Sequence, residues 1–544
     1  MSLLGLIILI SGASLACEAG HVLISPSSLE PVHRETMKPL AEELIKRGHQ
    51  VTWFEYGLQK PTDPLPAKVK EVYVEVSVPD QGLYDLYVRK NHSEFKRQWD
   101  PEYWSDNERR DHWINSVKIC DRVLSDKKSR AIFDKLVKTT FDAVVVDDLY
   151  NPCGLLHTAL QKSVFVYWSI TGLRTESAWS HHSPSPPSYI PAPGSGLTEE
   201  MDFLERSKNL AQYAHNLYTH HRVVLPLVDE LAKKHFLNHK LPEAFYMERN
   251  ASLNFVNHFP IFDFARPYMP RVNFVGCTHC RKAKPLDKKF TDFIAKSNEV
   301  DGFVVISSGH SAQWKHAPED VIQNLLAAIK SKPNIQFIWQ FEGSLTNAPS
   351  NLLTVKWLPL QDLLGHKQCK AHISHGGVNS VMESVWHGVP VIGWPLTINN
   401  KDNLLRVTAR HAGLLLSTKR PSEKQIISAL NRIYVQTFKE EALIFQDMVT
   451  DVPYTELTHA AFWVEFIIRH QEIPHARSGA DDLNILQYFL VDVIAFLLST
   501  ITLIVYIIHH TLKLLVRGLI WLVVSAFRYA FSKKPKVDKK KKTN

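Results

Sequence analysis

The stretch HGGVNSVMESVWHGVPVIGWPLTINNKDN, residues 375–403, sets the architecture of the chain. It follows from AHISH (371–375), a short apolar run with strand character, and opens on a Gly-Gly turn. Val378, Val381, Met382 and Val385 then recur at i, i+3, i+4 and i+7, the spacing of one helix face, before a second apolar run, PVIGW (390–394). Strand, turn, helix and strand in this order build a parallel sheet covered by helices.

The same unit repeats upstream. GFVVISS (302–308) predicts a strand, Ile322, Leu325, Leu326 and Ile329 mark a helix face, and QFIWQ (336–340) predicts the next strand. Near the start, HVLISP (21–26) predicts a buried strand followed by a loop. Met37, Leu40, Ala41 and Leu44 then share a helix face, Gly48 stops that helix, and QVTWF (50–54) is a further strand. DAVVVDD (142–148) adds a buried strand with carboxylates at its C-terminal end. Two doubly wound halves follow, joined near the polar stretch 281–289. Ligands of such sheets lie at the carboxyl ends of the strands, so the natural site is the cleft between the halves. SPSPPSYIPAPGSG (183–196) predicts an irregular loop crossing a surface near that cleft. No repeat of 20 to 50 residues is present.

The 544 residues, 45% hydrophobic and 22% charged, describe ordinary globular material and exclude a disordered, collagenous or miniprotein chain. The net charge of +8 sits mostly in the last thirteen residues, SKKPKVDKKKKTN, where seven lysines face one aspartate. A basic balance confined to a tail gives no argument for nucleic acid. Residues 1–16, an apolar run ending in SGASLA, have the form of a signal peptide. Near the other end, the run around 493–508 is long enough for one membrane span, with Asp492 at the non-cytosolic interface. A second run, 514–531, carries Arg517 and Arg528 and is expected to lie along the interface. Lysines after a span place the tail in the cytosol and residues 17 to about 490 in a lumen. The terminal KKTN resembles the dilysine signal of endoplasmic reticulum membrane proteins.

Sequons at Asn91 and Asn250 fit a luminal body. Six cysteines are present, and Cys277-Thr-His-Cys280 has the spacing of half a zinc site or a redox pair. No second half matches it, so isolated thiols or one luminal disulfide are expected.

The chemistry concentrates in a few residues. His375, Gly376 and Gly377 at a strand-to-helix turn let backbone amides approach a phosphate at a helix N-terminus. Glu383, off the apolar stripe, is placed to accept two ribose hydroxyls; a solvent-facing helical glutamate is the plain alternative.

The segment WLPLQDLLGHKQCKAHISHGGVNSVMESVWHGVPVIGWPL (357–396) resembles the signature of the UDP-glycosyltransferase family, in particular its membrane-bound animal UDP-glucuronosyltransferase branch. The likeness extends to RGHQVT (47–52), FARPYMPRVNFVG with HCRKAKPL (264–286), FWVEFIIRH (462–470) and the C-terminal anchor. It implies an α/β GT-B fold: two Rossmann-like domains facing across a cleft, plus a C-terminal transmembrane helix. It also implies no metal and no cofactor beyond the UDP-sugar as co-substrate. The uracil-stacking position of the family falls on Trp357, the phosphate-contacting histidine on His375, the ribose carboxylate on Glu383, and a residue near the phosphate and sugar on Asn379. Ser307, near the end of the strand 302–308, and Gly309, just after it, are assigned to the donor with them. Arg266 matches a residue that faces the sugar carboxylate. The catalytic base falls on His33, in the loop after the first strand, and its partner on Asp147, with Asp148 as rival. An imidazole near neutral pKa takes the acceptor proton, and an anionic aspartate fixes its tautomer.

Five positions depart from the family pattern. Asn399-Asn400 stand where an Asp-Gln pair usually holds sugar hydroxyls, His310 replaces a small hydroxyl residue, Gln340 a basic one, and Leu360 a glutamine. Each lost polar contact is worth about 1 to 3 kcal/mol, so the sugar grip is altered.

The sequence therefore divides into a signal peptide (1–16), an acceptor-binding domain (17–283), a UDP-sugar-binding domain (284–448), a helical segment returning to the N-lobe (449–484), a transmembrane helix (485–510) and a basic cytosolic tail (511–544). The expected activity is inverting transfer of glucuronic acid or a hexose to small lipophilic acceptors, at the endoplasmic reticulum membrane. Two alternatives stay open: a non-catalytic family member acting as a binding protein, and a ceramide-type transferase acting on a membrane lipid. The acceptor, the donor sugar and any homo- or hetero-oligomer are left open.

Overall fold

A computed structural model describes residues 19–27, 29–104 and 107–532. The expected signal peptide, Cys17 and the lysine tail from 533 lie outside the described residues. The chain forms two compact units, divided between Arg477 and Ser478.

The first unit contains two parallel sheets. The N-terminal sheet has seven strands: β1 (His21–Ser25), β2 (Gln50–Gly57), β3 (Lys70–Glu75), β4 (Ala143–Asp147), β5 (Phe165–Ser169), β6 (Leu253–Val256) and β7 (Val272–Phe274), in spatial order β3-β2-β1-β4-β5-β6-β7. The second has six: β8 (Phe303–Ser307), β9 (Gln336–Gln340), β10 (Leu352–Val355), β11 (Cys369–Ser374), β12 (Val391–Gly393) and β13 (Gly413–Leu415), ordered β10-β9-β8-β11-β12-β13. Every recorded pairing is parallel. Helices cover both faces, which is why HVLIS, AVVVD and FVVIS are nearly continuous apolar runs rather than alternating ones.

The strand order reverses at β1/β4 in one sheet and at β8/β11 in the other, and each reversal opens a crevice at the carboxyl ends. Helices start there. Helix α1 (Pro31–Lys46) follows β1 with Pro31 in its first turn, where the missing N–H costs nothing. Helix α2 (Leu360–Leu364) precedes β11, and α3 (Val378–Trp386) leaves it directly. Helix α4 (Ile398–Thr408) follows β12. Helix α5 (Glu456–His470) returns to the N-terminal lobe, where Ala460, Ala461, Val464 and Ile467 are buried against Val22, Ile24, Met37 and Leu40.

The lobes are fastened along the cleft. Asp402 of α4 accepts the amides of Gly194 and Gly196 from the Pro-rich loop at 2.6 and 2.9 Å. Trp99 of the N-terminal half lies among Trp314 and Trp394 of the C-terminal half.

In the second unit, α6 (Val491–Ser532) is one helix of 42 residues, long and apolar enough to cross a membrane. At 1.5 Å per residue it measures about 63 Å, twice a hydrocarbon core of about 30 Å. It runs on through residues 511–513, where the sequence suggested a break between span and interfacial segment; no proline interrupts this stretch, so nothing stops the helix. The sequence also suggested at most one disulfide. Two are present, Cys277–Cys280, at the spacing of a redox pair, and Cys120–Cys153, whose partners stand 33 positions apart and are brought together by the fold.

Candidate active site

His33 and Asp147 meet at the β1/β4 crevice. His33 lies in the first turn of α1 rather than in a loop, because Pro31 starts the helix early. Its Nδ1 is 2.7 Å from Asp147 Oδ2, with both side chains buried. The backbone amides of Ser27 and Leu149 also donate to Asp147, at 3.2 and 3.0 Å, and fix its carboxylate. An ionised carboxylate only accepts, so Nδ1 carries the hydrogen and Nε2 keeps its lone pair, the tautomer a general base requires. Burial lowers the His33 pKa, but the charge and hydrogen bond of Asp147, with smaller contributions from Glu30 and Asp148, outweigh it; the net shift is upward. Asp148 points to the other side of β4. It pairs with buried Arg174 at 3.0 Å and accepts from Ser169 and Ser177, which separates it from the imidazole.

The β8/β11 crevice supplies the other wall. Gly376 has φ +98°, and a Cβ there would sit 2.5 Å from the Asn400 carbonyl, so only glycine makes this turn. The turn aims the N-terminus of α3 at the cleft. His375 Nε2 is 3.0 Å from Ser311 Oγ, while His375 Nδ1 and Asn379 Oδ1 are buried without a hydrogen-bond partner among the described residues. Burial pushes the His375 imidazole down to about 4, which keeps it neutral at physiological pH. Trp357 is 56% exposed and contacts the His310 ring, centroid to centroid 4.5 Å. Glu383 Oε1 lies 3.4 Å from His279 Nε2.

A cleft of about 1190 Å³ runs between these walls. Ser307, Gly309, Trp357, His375, Gly377, Asn379 and Glu383 line one side, and Glu30, Pro31, Val32 and Arg34 line the other, while His33 and Asp147 are buried and are not themselves part of the lining. His310, Gln340 and Leu360 border it as well.

Other expected donor residues lie outside this lining. Arg266 was expected to face a sugar carboxylate, but it donates to the Leu173 carbonyl at 2.6 Å and to Ser185 Oγ at 3.2 Å, securing a neighbouring loop. Asn399 and Asn400 lie in the first turn of α4 and are not part of the cleft lining. Asn400 forms a capping box with Thr397: its Oδ1 accepts the Thr397 amide at 3.2 Å, and its own amide donates to Thr397 Oγ1 at 3.3 Å. Gly376 also lies outside the lining, and its carbonyl accepts from Asn403 Nδ2 at 3.0 Å. Ser307 lines the cleft, yet its Oγ pairs with His372 Nε2 at 2.7 Å. Gln340 accepts the amides of Ser308 and Gly309 and donates to the Gly309 carbonyl, so it braces the loop after β8.

The sequence reading missed Ser311, beside His375, and His279, beside Glu383. For His279 the only signal was the CTHC spacing.

The family model described as UDP-glucoronosyl and UDP-glucosyl transferase matches residues 20–523. The chain belongs to the UDP-glycosyltransferase family. Among curated relatives, human UDP-glucuronosyltransferase 2B15 is 31% identical over 510 residues, covering 90% of this chain and 92% of the relative. Human UDP-glucuronosyltransferase 2B17 is 30% identical, covering 96% and 95%. Among solved structures, the UDP-glucosyltransferase of Polygonum tinctorium superposes with a TM-score of 0.57 at 17% identity, over 83% of this chain and 99% of that one. Phytolacca americana UGT2 gives 0.55 at 16% identity, over 83% and 100%. These neighbours carry the GT-B fold. The likeness first read from residues 357–396 thus extends along nearly the whole UDP-glycosyltransferase chain, and the protein is an enzyme of that class.

Proposed function

We propose that the protein is an inverting transferase that moves glucuronic acid or a hexose from a UDP-sugar to small lipophilic acceptors, with His33 as general base and Asp147 as its partner. The observation that carries this reading is the buried 2.7 Å contact between His33 and Asp147, beside a cleft whose opposite wall holds a helix N-terminus. The acceptor hydroxyl gives its proton to His33 Nε2 as its oxygen attacks the anomeric carbon. The bond from that carbon to the diphosphate breaks from the far side, UDP departs, and an α-linked donor becomes a β-linked product. Asp147 stabilises the imidazolium that forms. General-base catalysis of this kind contributes about 10² to 10⁴ in rate. Neutral His375, the amides at the start of α3 and Asn379 meet the diphosphate, Trp357 stacks the base, and Glu383 receives the ribose. On this reading, turnover continues in the presence of a chelator.

The apolar α6 and the terminal lysines support a single-pass anchor in the endoplasmic reticulum, with the catalytic lobes in the lumen. The test is product formation from UDP-glucuronate, UDP-glucose and UDP-galactose with a panel of lipophilic phenols and alcohols. One donor supports turnover and His33→Ala abolishes it. Turnover that survives His33→Ala overturns the assignment of the base.

A second reading, a binding protein that keeps the fold, is favoured by Asn400 and Gln340, whose polar groups serve the protein's own backbone. UDP binding without discrimination among UDP-sugars, together with no turnover, supports it.

A further inference from the structure

The loop Cys277–Cys280 takes no part in the chemistry above, yet it touches both walls of the cleft. It lies between β7, the last strand of the N-terminal sheet, and the helix Lys288–Ile294 that opens the C-terminal lobe. The disulfide closes Thr278 and His279 into a small ring. Thr278 Oγ1 donates to the Thr36 carbonyl of α1 at 3.0 Å, and Thr36 Oγ1 in turn donates to the His33 carbonyl at 3.0 Å. On the other side, the His279 carbonyl accepts from Gln361 Nε2 of α2 at 3.0 Å, and the His279 ring stands 3.4 Å from Glu383 of α3. One ring of four residues therefore holds the helix of the base and the helix of the ribose carboxylate.

The two disulfides differ in access. Cys120 and Cys153 are fully buried in the N-terminal core. Cys277 is buried against α3, but Cys280 is partly exposed, and His279 beside it lines the cleft. The His279 ring also lies 3.2 Å from Cys277 Sγ. An attacking thiolate thus reaches Cys280, and an imidazole waits beside the sulfur that leaves.

We propose that Cys277–Cys280 is a thiol–disulfide exchange site through which a dithiol reductant weakens nucleotide binding, by releasing His279 from Glu383 and Thr278 from α1. A thiolate of the reductant attacks Cys280 Sγ, the S–S bond breaks, and its electron pair leaves on Cys277, which takes a proton passed by His279. The second thiol of the reductant resolves the mixed disulfide, and Cys280 takes a proton from water. Two electrons and two protons pass to the protein, and the dithiol becomes a disulfide. In an oxidising lumen the ring is closed. The proposal rests on Glu383 being a nucleotide contact, and Cys277 and Cys280 act as positioning residues.

The test uses the full chain in detergent. UDP binding is measured by calorimetry before and after mild treatment with dithiothreitol, with alkylation and mass spectrometry reporting which cysteines have opened. The expected result is selective alkylation of Cys277 and Cys280 with a dissociation constant for UDP raised on the order of tenfold, the size of one lost hydrogen bond to a charged group. The double variant Cys277→Ser, Cys280→Ser binds at the reduced level and ignores the reductant. Amide exchange in residues 31–40 and 378–387 rises on reduction. Unchanged affinity and unchanged exchange after selective opening overturn the proposal, as does a double variant that binds like the oxidised protein. If the oxidised protein fails to bind UDP while exchange still rises on reduction, the clamp stands and the nucleotide assignment is what fails.

Discussion

Asp147 and Asp148 are consecutive residues that serve two separate buried partners, His33 on one side of β4 and Arg174 on the other. Their substitutions should therefore fail in different ways. Asp147→Asn keeps the fold but loses the charge that sets the His33 tautomer, and turnover should fall by about 10³ to 10⁴ with little change in thermal midpoint. Asp148→Asn leaves the Arg174 guanidinium buried with only Glu176 as an acidic partner, and should cost about 3 to 5 kcal/mol of stability. Denaturant titration beside single-turnover kinetics separates the two. Equal loss of stability in both variants would contradict the division.

The pH dependence has a defined sign. In its proposed role His33 acts only when neutral, and its pKa is raised by Asp147, so kcat/KM should fall on the acid side with a midpoint above 6.5. Stability runs the other way. Protonated His33 is favoured in the fold, so its contribution is complete below the unfolded value of about 6.5 and disappears as pH rises through the raised folded value. The difference in unfolding free energy between wild type and His33→Gln, measured across that window, should shrink with rising pH. A constant difference would remove the linkage.

Gln340 makes three hydrogen bonds to the loop after β8. Gln340→Ala should lower stability by about 1 to 3 kcal/mol and raise the donor KM severalfold, because Gly309 borders the cleft. A stable variant with an unchanged donor KM would show that the loop needs no such brace.

Asn400 is bonded to Thr397 rather than placed along the cleft. Asn400→Ala should cost roughly 0.5 to 1 kcal/mol of stability as the capping box opens, while the ratio of UDP to UDP-sugar affinities stays the same. A changed ratio, measured by competition binding, would return Asn400 to the sugar.

Much of this architecture is legible in the sequence. Apolar runs such as HVLIS and FVVIS and helix faces such as Met37, Leu40, Ala41 and Leu44 carry their period in the sequence, and two strand-helix halves followed from them. Short strands such as β7 and β13, three residues each, are too brief for a period to show. Residues that line the cleft cluster in the sequence between His375 and Glu383, so a local pattern marks them. A contact made by a side chain that reaches across the fold leaves no such mark. Arg266 finds Leu173, 93 positions away, and no local pattern announces that partner. Thr397 and Asn400 carry a local signal, the spacing of a capping box. Pro31, too, marked the start of α1 ahead of His33.

The return of α5 has a consequence for how this chain can be divided. Ala460, Ala461, Val464 and Ile467 complete the apolar layer over β1 and α1, and Glu465 meets Arg47 and His49 at 3.2 and 3.3 Å. The N-terminal lobe is therefore a discontinuous module, begun by residue 20 and finished past residue 456. A chimaera that exchanges only the first half of two such enzymes would seat a foreign helix on that layer, whereas one that carries 456–470 along would transplant the lobe intact.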